Sequence, residues 1–309
     1  MTTVKPIFSL APMDDVTDTV FRQVILKTCQ PDIFYTEFTN CEGLFSAGSE
    51  KIMQRLKFAK EEKPIVAQLW GINPDNFEKA ARFCKKLGFD GIDINMGCPD
   101  KKAVKKGACA ALIQNHNLAQ KIIKAVKKGV PNLPISVKTR IGLDKIITEE
   151  WIGFLLKQNL YAITVHGRTA RELSKVPCHW DEIAKAVKIR NKMGSKTLIF
   201  GNGDVEDKIQ GLKFCKKYGV DGVMIGRGIF KNLWAFSDKE HKATLQEMLE
   251  LLLFHARLFN KTWLGTKNFN ILKKFFKCYT LGYRNASKLR KKLMETSSVK
   301  EVEKIISTL

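Results

Sequence analysis

Eight short apolar runs, each followed by a helical pattern, constrain this chain more than any other feature. They lie near Phe8 to Met13, Asp32 to Phe38, Pro64 to Gly71, Gly91 to Asn95, Ile135 to Gly142, Tyr161 to Thr169, Thr197 to Asp204 and Gly222 to Gly228. A strand covered on both faces reads as a nearly unbroken apolar run, and parallel strands need a crossover, usually a helix, between them. The clearest helix runs from Asn73 to Gly88. Asn73 caps it, Pro74 suits its first turn, Phe77, Ala80, Ala81, Cys84 and Leu87 fall on one face, and Gly88 ends it. Strand then helix, eight times over, predicts a closed parallel (β/α)8 TIM barrel. An open doubly wound sheet is the alternative, but no GxGxxG follows the first strand.

An internal repeat supports the ring. Phe83 to Ile94 (FCKKLGFDGIDI) and Phe214 to Ile225 (FCKKYGVDGVMI) share eight of twelve residues. Each reads as helix end, glycine turn, Asp-Gly and strand, so one βα block recurs. Asp90-Gly91 and Asp221-Gly222 are then expected to be structural, at the end of the barrel away from the chemistry.

Strand signals stop near His241, and helical patterns rich in Leu, Phe and Lys take over. The expected organisation is a barrel over 1–240 and an all-helical unit over 241–309. The last helix carries a capping-box pattern, Ser298 to Glu301, with Val299, Val302, Ile305, Ile306 and Leu309 on one face. With 44% hydrophobic and 27% charged residues, the composition excludes disorder as the main state. The charge is less ordinary: 53 Lys+Arg against 31 Asp+Glu give +22. The helical unit alone has 14 against 5, more than twice the charge density of the rest. Such an excess fits a polyphosphate partner, nucleic acid first. Lys273, Lys274, Lys277, Arg284, Lys288, Arg290, Lys291 and Lys292, interleaved with Phe275, Phe276, Tyr279 and Tyr283, can grip phosphates and stack bases unless the aromatics are core. Eight cysteines without a CxxC pair exclude the usual structural zinc spacing and fit a reducing compartment. Met1 to Ser9 reads as a β-like run rather than a signal peptide, and no apolar stretch approaches the roughly 18 residues of a membrane span. A cytoplasmic protein with neither membrane nor metal partner is expected.

In a parallel barrel the chemistry sits at the C-terminal strand ends. Polar and glycine residues there include Pro12 and Met13, Thr36 and Glu37, Gln68, Asn95 and Cys98, Lys138 and Arg140, His166 and Arg168, Asn202, and Gly226 with Arg227. The last two strands end in GNGD (201–204) and IGRG (225–228), turns whose backbone N–H groups can approach a phosphate. Six motifs occur in order: APMDDVTD (11–18), DINMGCP (93–99), VKTRIG (137–142), VHGRT (165–169), FGNGDV (200–205) and MIGRG (224–228). Together they resemble the tRNA-dihydrouridine synthases, in particular the bacterial FMN-dependent branch, over essentially the whole chain.

The resemblance implies reduction of the C5–C6 double bond of D-loop uridines in tRNA, with FMN at the top of the barrel and NADPH or NADH as reductant. Cys98 matches the family's general acid, which protonates C5 once a hydride has reached C6. Asn95 matches a residue bonding the uracil, and Arg140 one reaching the substrate nucleotide. Lys138 and His166 match residues at the flavin, where a cation stabilises the anionic reduced form. Pro12, Met13, Asp14 and Gln68 match positions around the isoalloxazine and ribityl group. Asn202, Gly203, Asp204, Gly226 and Arg227 are the implied phosphate cradle, with Arg227 the phosphate's natural partner. The four-lysine segment Cys98 to Ala111 reads as a lid over the site; its Lys105 and Lys106, with Arg168, are implied RNA contacts.

Three departures from the family pattern bear on RNA contacts. Ala170 follows HGRT where another Arg is usual, the expected Gly is replaced within LSKVPCHW (173–180, around Val176), and Cys109 stands where Gly is common. Neither Cys109 nor Cys178 is expected to be catalytic. One rival reading is a small-molecule flavoenzyme of the dihydroorotate or dihydropyrimidine dehydrogenase type, which leaves the basic tail unexplained; removing 241–309 should separate the two. Another is a non-enzymatic RNA-binding factor, opposed by intact Cys98, Lys138 and His166. One site with a helical clamp holds one tRNA, so a monomer is expected.

Overall fold

In the computed structural model, which describes residues 5–308, the strands are β1 (Ile7–Leu10), β2 (Phe34–Tyr35), β3 (Thr39–Asn40), β4 (Ile65–Trp70) and β5 (Gly91–Met96). They continue with β6 (Ile135–Arg140), β7 (Ala162–His166), β8 (Leu198–Asn202) and β9 (Gly222–Ile225). All pairings are parallel, and the order β1-β9-β8-β7-β6-β5-β4-β2 follows the ring. Closure comes at the first strand. Asp32 N–H donates to Phe8 O at 2.8 Å and Leu10 N–H to Ile33 O at 3.3 Å, while the other edge of β1 pairs with β9.

All eight apolar runs are barrel staves, but the second is broken. β2 and β3 pair with opposite ends of β4, and between them the Thr36 hydroxyl takes the Gln68 N–H at 3.0 Å. The repeat is structural, as expected. Gly88 (φ +89°) and Gly219 (φ +72°) end their helices in the left-handed region. Asp90 then accepts the Ile65 N–H at 2.9 Å and Asp221 the Ile199 N–H at 2.7 Å, so each carboxylate caps the start of a neighbouring strand. Asn73 caps the helix Pro74–Leu87 as predicted, and Phe77, Ala80, Ala81 and Cys84 are buried. Leu87 is not: it is 43% exposed.

The barrel contains a buried polar layer. Asp93 accepts the Ser136 hydroxyl at 2.5 Å and the Gln68 amide at 2.7 Å. Burial pushes the Asp93 carboxyl up to about 6 despite these two bonds.

After the last strand the described residues hold helices, among them Leu245–Trp263, Ala286–Glu295 and Val299–Ile306. The first packs on the helix Thr19–Thr28, and Phe21 of that helix stacks on Phe275 with ring centroids 5.0 Å apart. Asp18 caps Thr19–Thr28 and also accepts from Trp263 Nε1 at 2.8 Å and Lys267 Nζ at 3.0 Å. Removing residues 241–309 would therefore uncover buried aromatic surface and unpair Asp18, so it is not a clean test of RNA binding. The interleaved aromatics are also corrected: Phe275, Phe276 and Tyr279 are buried, and the half-buried Tyr283 donates to Ala243 O. They are core, while Lys274, Lys277, Lys288, Lys291 and Lys292 are exposed. The last capping box is half formed. Ser298 accepts the Glu301 N–H, but Glu301 turns back one residue further, to Ser297. Val302 is buried, and Leu309 lies outside the described residues. No helix among the described residues is long and apolar enough to cross a membrane.

A Cβ on Gly222 would lie 2.3 Å from the Ile7 carbonyl oxygen, across the β1–β9 seam. Gly222→Ala should lower the unfolding free energy by about 1–3 kcal/mol in a denaturant titration. An unchanged midpoint would contradict this closure.

Candidate active site

The C-terminal strand ends open into a cavity of about 810 Å³. Pro12 and Met13 enter it after β1, Pro99 after β5, Lys138 and Arg140 from β6, and His166 and Arg168 from β7. Asn202, Gly203 and Asp204 enter at the end of β8, and Gly226 and Arg227 follow β9.

The β8 and β9 turns form a cradle. Gly203 has φ +123°, and a Cβ there would meet Cys178 Sγ at 2.6 Å. One on Gly228 would meet Val205 O at 2.4 Å. Among the described residues, the N–H groups of Gly203, Asp204, Gly226 and Arg227 have no backbone acceptor. Arg227 is exposed at the rim, 3.7 Å from Asp204. The Asp204 side chain organises the cradle: it accepts from Arg168 and from Cys178 N–H at 3.0 Å.

Beside the cradle, Lys138 Nζ donates to Asn202 Oδ1 at 3.1 Å, and Asn202 Nδ2 to Met224 O at 2.7 Å. Burial first, then Arg140, pushes Lys138 down to about 8, which leaves it mostly cationic at neutral pH. His166 differs. Burial, with Arg140, Lys138, Arg168 and Arg227 around it, holds it well below the usual histidine range. Arg168 Nη1, only a donor, lies 3.3 Å from His166 Nε2, so the neutral ring carries its proton on Nδ1. Of Lys138 and His166, Lys138 alone supplies a positive charge.

The Cys98 turn is built from three strands. Asn95 Oδ1 accepts the N–H groups of Gly97 at 3.0 Å and Cys98 at 2.9 Å. Asn95 Nδ2 donates to Gln68 Oε1 at 3.1 Å, and Gln68 in turn donates to Asp93. From the other side Arg140 Nε donates to Gly97 O at 2.8 Å, while its Nη1 holds Thr169 O and Leu173 O at 2.9 and 3.2 Å. Cys98 is half-buried, and the neighbouring Cys109 is the largest influence pushing it down to about 7. Cys109 itself is pushed up by Cys98 and by burial.

The structure thus brings eleven of the expected residues to one cavity wall. Six lie elsewhere. Gln68 and Asn95 are buried and spend their amides on each other, on Asp93 and on the Cys98 turn, so their place is beneath the site. Asp14 faces Arg55, which bridges Asp14, Asp15 and Glu37. Burial, opposed by Arg55, pushes Glu37 up to about 7. Cys98 adjoins the cavity through Pro99, and Lys105 and Lys106 are exposed at the end of the short helix Lys101–Lys105. Arg168 does reach the wall, but its side chain is 3% exposed and paired to Asp204, which leaves it a scaffold and not a free RNA contact. Sequence reasoning missed Leu173, Ser174, Glu206 and Lys231 in the lining. Only Lys231 had a signal, lying one turn beyond Arg227.

Comparison with known proteins bears on this site. A family model described as dihydrouridine synthase matches residues 9–308. A protein of Staphylococcus aureus (strain MRSA252), named probable tRNA-dihydrouridine synthase, is 43% identical over 305 residues, 98% of this chain and 92% of its own length. One from Bacillus subtilis (strain 168), named probable tRNA-dihydrouridine synthase 2, is 42% identical over 305 residues, 98% and 93% of the two chains. Among solved structures, a 2-naphthoyl-CoA reductase complex aligns with TM-score 0.57 at 11% identity, covering 75% of this chain and 49% of that one. A morphinone reductase variant with tetrahydroNAD aligns at 0.52 and 10%, covering 74% and 85%. These two share the barrel fold.

Thiolate, not thiol, reacts with iodoacetamide, so alkylation of Cys98 should rise with pH through about 7. In Cys109→Gly the rise should move up toward the roughly 8.5 of a free thiol. Identical profiles followed on the Cys98 peptide would contradict the pairing.

Proposed function

The chain belongs to the dihydrouridine synthase family, and from that premise we propose that it reduces the C5–C6 double bond of uridines in tRNA to 5,6-dihydrouridine. The observation that carries this reading is one cavity at the strand ends, walled by Lys138, Arg140 and Arg227, with the Cys98 turn at its edge.

The donor set fits FMN. N–H groups without backbone acceptors, glycines whose Cβ atoms would intrude, and the exposed Arg227 are what a phosphate needs. Lys138 is the cation suited to the anionic reduced ring, with Pro12 and Met13 lining the approach. Bound FMN supplies the hydride for C6, and NADPH or NADH is the external reductant. Cys98 holds the proton that C5 needs, and Asn95 with Gln68 fixes its backbone. Arg140 ties the turn at Gly97 to the loop at Thr169 and Leu173, so substrate meets a preset wall. The exposed lysines of the lid, Lys105 and Lys106 among them, and those of the basic helices over 241–309 lie against tRNA phosphates. The D-loop is the target.

Nucleoside mass spectrometry with position mapping, on unmodified tRNA incubated with the protein, FMN and NADPH, should show a uridine that has gained two hydrogens. No gain, from protein holding reducible flavin, would contradict the function. Cys98→Ala should keep flavin absorbance and tRNA binding while turnover falls roughly a hundredfold or more; undiminished turnover would remove Cys98 as the acid. The Kd for tRNA should weaken by roughly tenfold or more when salt rises about fourfold. A salt-independent Kd would contradict binding through phosphates.

A further inference from the structure

Cys98 does not stand alone. Cys109 comes back beside it, with Cys98 O accepting the Ala110 N–H at 3.2 Å. The two side chains pack in one group with Trp70, Ala103 and Ala108. Cys109 is 1% exposed and has φ +54°, a conformation that glycine adopts without strain. Holding a thiol there, against the active-site cysteine, costs strain that a glycine would avoid. Reactivity is also confined to this place. Burial raises the thiols of Cys29, Cys41, Cys84, Cys178, Cys215 and Cys278, whereas Cys98 alone is lowered.

We propose that Cys98 and Cys109 form a reversible disulfide on meeting a hydroperoxide, which withdraws the proton donor from the site. The Cys98 thiolate attacks the hydroperoxide and the O–O bond breaks. Sulfur keeps one oxygen as a sulfenic acid, and the other leaves as water or alcohol. The Cys109 sulfur then attacks the Cys98 sulfur, the S–S bond forms, the S–O bond breaks, and the departing hydroxide takes the Cys109 proton as water. Two thiols lose two electrons and the hydroperoxide gains them. The loss of activity rests on the reading of Cys98 as the acid; the disulfide itself does not.

The test treats the flavin-loaded protein with hydrogen peroxide, blocks free thiols and maps tryptic peptides. Lysines between the two positions separate Cys98 and Cys109 into different peptides, so a bond appears as a linked pair lighter by two hydrogens. The expected result is that pair, with uridine reduction lost and then restored by dithiothreitol. In Cys109→Gly, which suits the left-handed backbone, Cys98 should instead advance to the sulfinic acid, and dithiothreitol should not restore activity. Wild-type protein whose Cys98 becomes sulfinic while Cys109 stays free to alkylate would overturn the proposal. A linked pair with unchanged turnover would uphold the disulfide and overturn the role of Cys98 as acid.

Discussion

The contact on which the site depends is the Asn95 side-chain oxygen accepting the N–H groups of Gly97 and Cys98. It fixes a turn that no regular ladder bond would hold, one step past the end of β5. Its own orientation comes from Gln68, Gln68 is held by Asp93, and Asp93 is held by Ser136. This chain of hydrogen bonds crosses β4, β5 and β6 inside the barrel, where a satisfied polar network is rigid and a broken one is costly. The price of that rigidity is a buried carboxyl at Asp93, pushed up to about 6. Thr139 adds a bond from its hydroxyl to Met96 O at 3.0 Å, so the turn is gripped from both neighbouring strands.

Against this rigid edge stands a wall of like charge. Burial, and then the Lys138, Arg140, Arg168 and Arg227 cations around it, keep His166 neutral, and Asp204 is the carboxylate that orders two of the arginines. Such a wall is poorly neutralised from within, and an anionic ligand relieves it. Binding to the folded state alone would then add stability by mass action. The basic exterior extends the same preference from a small anion to a polyanion.

What the sequence made legible was local. Each barrel strand announced itself as an apolar run, Asn73 and Gly88 carried their own capping chemistry, and the two Asp-Gly turns had the same cause at both places. Cavity residues on strand ends were found because barrel topology puts them there. What stayed hidden depends on distant partners. Gln68 looks like a ligand contact until Asp93 and Asn95 claim its amide, and Arg168 looks free until Asp204 pairs with it. Phe275, Phe276 and Tyr279 alternate with lysines as a stacking surface would, yet Phe275 stacks on Phe21, more than two hundred residues earlier in the chain. The return of Cys109 to Cys98 is likewise a matter of loop path, not of spacing.

Asn95 positions the proton donor through the backbone of Gly97 and Cys98. Oxidation of pre-reduced enzyme by unmodified tRNA, followed in a single turnover by flavin absorbance, tests it in Asn95→Ala. Flavin should be retained and the rate should fall about a hundredfold, the usual cost of a small misplacement. A wild-type rate would show that the Cys98 turn does not need Asn95, and would contradict it.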